Sequence, residues 1–252
     1  MIFLVALRKE LFEQWRSYRL LVVVVVLLAF GLLSPLTAKF TPELMKLLPN
    51  GEQIAKLIPP PTTADAIAQY LKNSSQFGVV LALLMTMGAV AQEKDKGTAA
   101  LVLVKPMPRP VFLWAKFFAL GATFTIGIAI AGVASYFYTL VLFEALDVPS
   151  WLALNGLLLL FVLVYIALTL LCSVVSRSQV VAGGLAFGLV ILLGGIGAIP
   201  MAGEFLPGQL LTWGAELIAG SREAAWPALW VSFGIIVAAL AGAWVIFERQ
   251  EL

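Results

Sequence analysis

The sequence alternates between long runs that lack charged residues and shorter polar segments. Six such runs occur, at residues 20–38, 73–92, 117–143, 151–176, 180–203 and 224–247. The shortest run has 19 residues, and a helix of that length is about 28 Å long, close to the thickness of the hydrocarbon core of a bilayer. The pattern therefore predicts an all-α polytopic membrane protein with six transmembrane helices.

The polar segments carry patterns of their own. Residues 1–19 predict an amphipathic helix in the plane of the lipid headgroups, because four large apolar residues repeat there at helical spacing: Leu4, Leu7, Leu11 and Trp15. Prolines divide residues 39–72, but Thr62 and Asp65 mark a helix start from which the pattern continues into the second span. Residues 204–223 are too short and too charged to cross a bilayer twice, and we interpret them as an interfacial or re-entrant hairpin.

The composition agrees with a membrane protein and narrows its chemistry. The chain is 62% hydrophobic and 12% charged, whereas soluble domains are about 45–50% apolar and about 25% charged. It has no His, and its one Cys, Cys172, lies in an apolar run. These features argue against an intramembrane hydrolase, an internal disulfide and a Cys-rich metal site. We therefore expect no enzymatic activity, no catalytic residue and no metal site in this chain.

The sequence also lacks an internal source of energy for transport. None of the six apolar runs contains Asp, Glu, Lys or Arg, although proton relays in membranes require ionisable residues. The G-x-x-x-x-G-K-[ST] pattern of a P-loop is absent as well, so the chain is not expected to bind ATP in that way. Uphill transport by this chain would have to draw its energy from another polypeptide.

The basic residues predict the orientation in the membrane. Of the 16 Lys and Arg residues, 11 fall in segments on the same side as the two termini and 5 fall on the opposite side. Short loops rich in Lys and Arg remain on the cytoplasmic side. We therefore predict an inner-membrane protein with both termini and the segment 93–116 in the cytoplasm.

The segment 93–116, between the second and third spans, combines charge, glycine and proline. It opens on a mixed-charge helix end that includes Glu93, Lys94 and Asp95. Gly97 then permits a turn, and Thr98 is suited to cap a short apolar helix. Three prolines stiffen an extended exit toward the third span: Pro106, Pro108 and Pro110. A short helix rooted in two spans is suited to transmit force, although an ordinary cytoplasmic loop is the simpler alternative.

This segment resembles the corresponding loop of the ABC-2 type permeases, the membrane subunits of ATP-binding-cassette exporters. The matching residues are Glu93, Gly97, Thr98, Leu101, Leu103, Pro106, Arg109 and Lys116. In that family the loop is a coupling helix that sits in a groove of the ATPase subunit. Ala99 and Ala100 stand where the family often has Leu-Glu, and Ala115 stands where it usually has Gly. The resemblance therefore implies a contact with the ATPase that is less polar than usual.

The resemblance extends over nearly the whole chain and implies a single transmembrane domain, residues 1–252. It implies a permease subunit with an N-terminal elbow helix and a cytoplasmic coupling helix. It also implies two copies of a separate ATPase subunit that binds ATP and Mg, and a second permease copy in a homodimer or a heterodimer. The residues implied in coupling to the ATPase are Glu93, Lys94, Asp95, Gly97, Thr98, Leu101, Pro106, Arg109 and Lys116. The alternative function is a membrane scaffold that recruits a cytoplasmic partner without transport.

Two further features of the spans leave their roles open. The spacing of Gly184 and Gly188 permits close helix approach, either within the chain or to a second copy. Scattered polar residues line a pathway or, as is more usual in helices, bond to their own backbone. These residues are Thr123, Thr125, Ser135, Asn155, Tyr165 and Thr169.

Overall fold

A computed structural model describes residues 2–47, 59–95, 108–220 and 223–250. In these residues ten helices follow one another and no strand occurs. The helices are α1 Ile2–Arg16, α2 Arg19–Lys46, α3 Thr63–Thr86, α4 Ala91–Asp95, α5 Arg109–Leu142, α6 Val148–Val175, α7 Gln179–Gly197, α8 Pro200–Gly203, α9 Gln209–Ile218 and α10 Trp226–Glu248.

Six stretches of helix are long and apolar enough to cross a membrane. They are α2, α3 together with α4, α5, α6, α7 and α10, which confirms the predicted all-α class with six spans. Several of them are longer than the apolar runs. The longest, α5, has 34 residues, or about 51 Å at 1.5 Å per residue, whereas the hydrocarbon core is about 30 Å thick. Such helices must extend beyond the hydrocarbon into the polar layers.

The ends of two helices follow from local backbone chemistry. The start predicted at Thr62 and Asp65 is present, since the backbone N–H of Thr62 donates to Asp65 Oδ2 at 2.8 Å. In contrast, α7 ends at Gly197 and not at residue 203, the end of the apolar run. Ile199 has an extended backbone and precedes Pro200. A residue before proline disfavours the helical conformation, so the proline ends α7 early.

The core of the bundle is built around α6, the most buried span. Its fully buried side chains include Leu154, Leu158, Ile166 and Leu170. It packs against α3, α5, α7, α9 and α10. In the segment 204–223, interpreted from the sequence as a hairpin, α9 belongs to this core, because its Leu210 and Trp213 are buried. With 10 residues, α9 is too short to span a bilayer, and its depth in the membrane remains a prediction.

The N-terminal helix α1 turns an unexpected side toward the protein. It packs along α5, and its buried residues are Ala6, Glu10 and Gln14. Leu4 and Trp15, which the sequence placed on the apolar side, are 67% and 70% exposed. The helix is therefore amphipathic, but its polar stripe faces the bundle. Its large apolar side chains point away from the bundle and are exposed. Its position in the headgroup plane remains a prediction.

Some glycines of the spans lie in close helix contacts, whereas others have free space beside them. A Cβ added at Gly31 of α2 would lie 2.6 Å from the backbone oxygen of Ala131 in α5. A Cβ added at Gly183 of α7 would lie 2.8 Å from the Sδ of Met87. Gly184 and Gly188 have no described atom within 4 Å of an added Cβ. These two glycines therefore do not pack against another described part of the same chain, and a contact with a second copy remains a prediction.

We predict that Gly31→Ala lowers stability, since the new methyl would overlap backbone and force α2 and α5 apart. The expected cost is about 1–3 kcal/mol, measured as a lower thermal unfolding temperature of the purified protein in detergent. Gly188→Ala is the matched control and should unfold near the wild-type temperature. Equal unfolding temperatures for both variants would contradict the close contact between α2 and α5.

Candidate functional site

The residues predicted to couple to an ATPase flank the segment between α4 and α5. Glu93, Lys94 and Asp95 lie in α4, and Arg109 and Lys116 lie in the first turns of α5. The other predicted residues fall outside the described part of the chain: Gly97, Thr98, Leu101 and Pro106. The described side chains show how both ends of the segment are attached to the bundle.

The strongest attachment is a buried ionic cluster around Lys116. Its ammonium Nζ lies 2.6 Å from Glu93 Oε1 and 3.1 Å from Glu10 Oε2. The side chain of Lys116 is only 4% exposed, and its Nζ also lies 4.8 Å from the centre of the Phe112 ring. Since Glu10 belongs to α1 and Glu93 to α4, this one cation joins three helices.

The charges of this cluster are balanced by a second lysine at its edge. Lys9 Nζ lies 3.2 Å from Glu10 Oε1, so two cations accompany the two carboxylates. Burial by itself raises the pKa of Glu10, but the positive charges of Lys116 and Lys9 outweigh that effect and hold the pKa below the ordinary value of 4.5. Glu10 is therefore ionised at neutral pH, and its paired charge stabilises the folded state.

Arg109 attaches the start of α5 to the end of α10. Its Nη1 donates to the backbone oxygens of Phe247 at 2.7 Å, Glu248 at 2.8 Å and Gln250 at 3.0 Å. The guanidinium carbon also lies 5.8 Å from the centre of the Phe247 ring. The last carbonyls of a helix have no partner within the helix and carry partial negative charge. Arg109 therefore caps the last span of the protein.

Lys94 makes an equivalent attachment to the end of α6. Its ammonium donates to the backbone oxygen of Val174 and to Gln250 Oε1, the latter at 3.3 Å. The side-chain amide of Gln250 donates to the same Val174 oxygen at 3.1 Å. The ends of α4, α6 and the C-terminal segment therefore meet at one point.

The structure locates the side chain of Glu93 and adds residues that the sequence pattern missed. Glu93 is 17% exposed and faces Lys116, and its role in coupling to the ATPase stays a prediction. Glu10, Gln14 and Gln250 were not predicted. The signal for the first two was the four-residue spacing of Ala6, Glu10 and Gln14, which marks one stripe of a helix.

Most of the scattered polar residues of the spans make hydrogen bonds within their own helix or to a neighbouring helix. The hydroxyls of Thr123, Thr125 and Thr169 each donate to a carbonyl four residues earlier, at 3.1, 2.8 and 2.7 Å. Asn155 Oδ1 accepts a hydrogen bond from the hydroxyl of Tyr70 at 2.6 Å. The three threonines therefore follow the usual behaviour of hydroxyls in helices, whereas Asn155 joins α6 to α3.

Six apolar spans and a charged cluster at one end define a multi-pass α-helical membrane protein. The family model described as ABC-2 family transporter protein matches residues 4–252, so the chain belongs to this family. The chain is also similar to the uncharacterized transmembrane protein YxlG of Bacillus subtilis (strain 168), with 23% identity over 256 residues that cover 99% of this chain and 98% of the relative. Members of the family are membrane components and not catalytic themselves, and membership implies an ATPase partner and supports a permease role.

We predict that Lys116→Met strongly destabilises the protein, because Glu10 and Glu93 would lose their shared buried cation. Removing one partner of a buried ion pair costs about 3–5 kcal/mol, which thermal unfolding in detergent at pH 7 would measure. Lys72→Met, at an exposed lysine, is the control and should have little effect.

The same pair of variants has an expected dependence on pH. Because the folded pKa of Glu10 lies below 4.5, its ionic contribution is complete above that pH and is lost as the pH falls through the folded pKa. The advantage of the wild type over Lys116→Met should therefore shrink in acid. An advantage that is the same at pH 7 and at pH 3.5 would contradict an ionic role for Lys116.

Proposed function

We propose that the chain is the permease subunit of an ATP-binding-cassette exporter, which moves substrate with energy from ATP hydrolysed by a separate subunit. One observation carries the proposal beyond family membership. The two ends of the segment 93–116 are attached to three other parts of the bundle by the side chains of Glu93, Lys94, Arg109 and Lys116.

These attachments are suited to transmit motion. A displacement of the segment 93–116 would pull on α1 through Glu10, on the end of α6 through Val174 and on the end of α10 through Phe247. The contacts are short, and those of Lys116 are buried, so little movement is absorbed by solvent or by side-chain rearrangement. α5 would then carry the displacement to the opposite end of the bundle, since Arg109 and Lys116 lie in its first turns.

The remaining parts of the proposal concern the assembly. In it, residues 1–252 form one transmembrane domain, α1 is the elbow helix and the segment 93–116 contains the coupling helix. Two ATPase subunits hold ATP and Mg at the cytoplasmic side, and a second permease copy completes the exporter. Gly184 and Gly188 are open on α7 and are available for a contact with that copy. The excess of basic residues, 11 against 5, supports an inner-membrane protein with both termini in the cytoplasm.

The proposed orientation predicts which cysteines an impermeant thiol reagent reaches in intact cells. Ala64→Cys, at an exposed position near the start of α3, should react from outside the membrane in a Cys172→Ala background. Ser17→Cys, at an exposed position between α1 and α2, should react only after lysis. Labelling of Ser17→Cys but not Ala64→Cys in sealed cells would reverse the orientation.

The coupling role predicts a loss of stimulated ATP hydrolysis when Arg109 is replaced by Ala. The variant loses a charged donor to three carbonyls, and a charged hydrogen bond contributes about 1.5–3 kcal/mol. We expect the substrate-linked ATPase rate of the reconstituted complex to fall on the order of tenfold, while the permease still inserts and binds its ATPase. Arg249→Ala, at an exposed arginine of the same C-terminal region, should retain the wild-type rate.

The same assay separates an exporter from a scaffold. A scaffold that only recruits its partner would show weaker recruitment in Arg109→Ala and no change in an ATPase rate. If the purified chain binds no ATP-binding-cassette ATPase and its addition changes no ATPase rate, the proposed function is wrong.

A further inference from the structure

The second span is interrupted just before the segment 93–116. α3 ends at Thr86 and α4 begins at Ala91, with a turn between them. In this turn the N–H of Ala89 donates to the oxygen of Thr86 at 2.9 Å. This bond spans three residues, as in a 3₁₀-helix, and not four as in an α-helix. A continuous helix would instead join the N–H groups of Val90 and Ala91 to the oxygens of Thr86 and Met87. The interruption therefore replaces two regular hydrogen bonds of the helix.

A serine from another helix occupies the missing step. Ser173 Oγ, near the end of α6, accepts hydrogen bonds from the N–H groups of Val90 and Ala91, both at 3.0 Å. The same hydroxyl donates to the oxygen of Met87 at 2.9 Å. Ser173 therefore bridges Met87 and Ala91, the two residues whose direct bond would close the helix. Insertion of a side chain between the hydrogen-bonded groups of a helix is a recognised cause of kinks.

The groups that form this arrangement are buried. Ser173, Val90 and Ala91 are each 0% exposed. Gly88 lies against the side chain of Gln179 at the start of α7, where an added Cβ would come within 3.1 Å. Buried backbone N–H groups need partners, so the interruption depends on a hydroxyl at this position. Without that hydroxyl, the direct bonds from Val90 to Thr86 and from Ala91 to Met87 are the available alternative.

We infer that Ser173 is a positioning residue that sets the direction in which α4 leaves α3. With the hydroxyl inserted, the span is broken, and α4 presents Glu93 to Lys116 and Lys94 to the end of α6. With the hydroxyl withdrawn, the span closes into one helix and α4 points along α3. A shift of α6 relative to α3 is thereby converted into a rotation of α4. The consequence for transport rests on the proposed function, whereas the two arrangements of the span do not.

The test measures the direction of α4 in the full-length protein, without an ATPase. Spin labels are attached at Val80→Cys on the exposed side of α3 and at Asp95→Cys at the end of α4, in a Cys172→Ala background. In one straight helix these positions are 15 residues apart, or about 22 Å along the axis. Ser173→Ala should move the main distance of the pulsed electron paramagnetic resonance spectrum toward that of a straight helix.

A nearby serine provides the control. Ser176 directly follows α6 and is 5% exposed. Its Oγ has no hydrogen-bond partner among the residues that the structure describes. Ser176→Ala should therefore keep the wild-type distance. An unchanged distance in Ser173→Ala, or an equal shift in both variants, would overturn the inference. Unfolding temperatures near the wild-type value would show that a shift is a change of direction and not a loss of fold.

A second readout separates this inference from the proposed function. In the reconstituted complex, Ser173→Ala should bind the ATPase as the wild type does but lose most of the stimulated hydrolysis. If no ATPase binds even the wild-type chain while the label distance still shifts, the proposed function fails and the role of Ser173 stands. If the distance shifts and stimulated hydrolysis is unchanged, Ser173 sets the direction of α4 but that direction does not transmit the motion.

Discussion

Lys116 is a buried cation, and much of this end of the bundle depends on how its charge is balanced. A lysine that is 4% exposed would be costly without nearby carboxylates. Glu10 and Glu93 provide them from two different helices, so α1 and α4 are held against α5 by one electrostatic requirement. The same requirement explains why α1 turns a polar stripe inward. Its large apolar side chains, such as Leu4 and Phe12, are left exposed.

The ends of the helices impose a second requirement of the same kind. The last carbonyls of α6 and α10 need donors, because they have no partner within their own helices. Lys94 and Arg109 supply these donors while also fixing the ends of the segment between α4 and α5. Ser173 meets a comparable need where the second span is broken. In the proposed function, the groups that complete the fold are also those through which the ATPase acts on it.

The number of spans could be predicted because a bilayer imposes a simple length on a helix. Any run of about 20 apolar residues is long enough to cross, and all six runs form such helices. The start of α3 could also be predicted, because the hydrogen bond that caps it joins Thr62 and Asp65, which are only three residues apart. Where a prediction failed, as at the end of α7, a local rule had been overlooked, namely the effect of Pro200 on the residue before it.

The sequence by itself thus determined the class of protein, the count of spans and a charged segment between the second and third spans. Only the tertiary structure decided which groups those charges meet. Lys116 and Glu10 are 106 positions apart in the chain, and Arg109 and Phe247 are 138 apart. Hydrophobic periodicity describes one helix at a time, so it assigns each residue to a face but not to a partner. Partners are set by the way separate helices cross, and that depends on packing over the whole bundle.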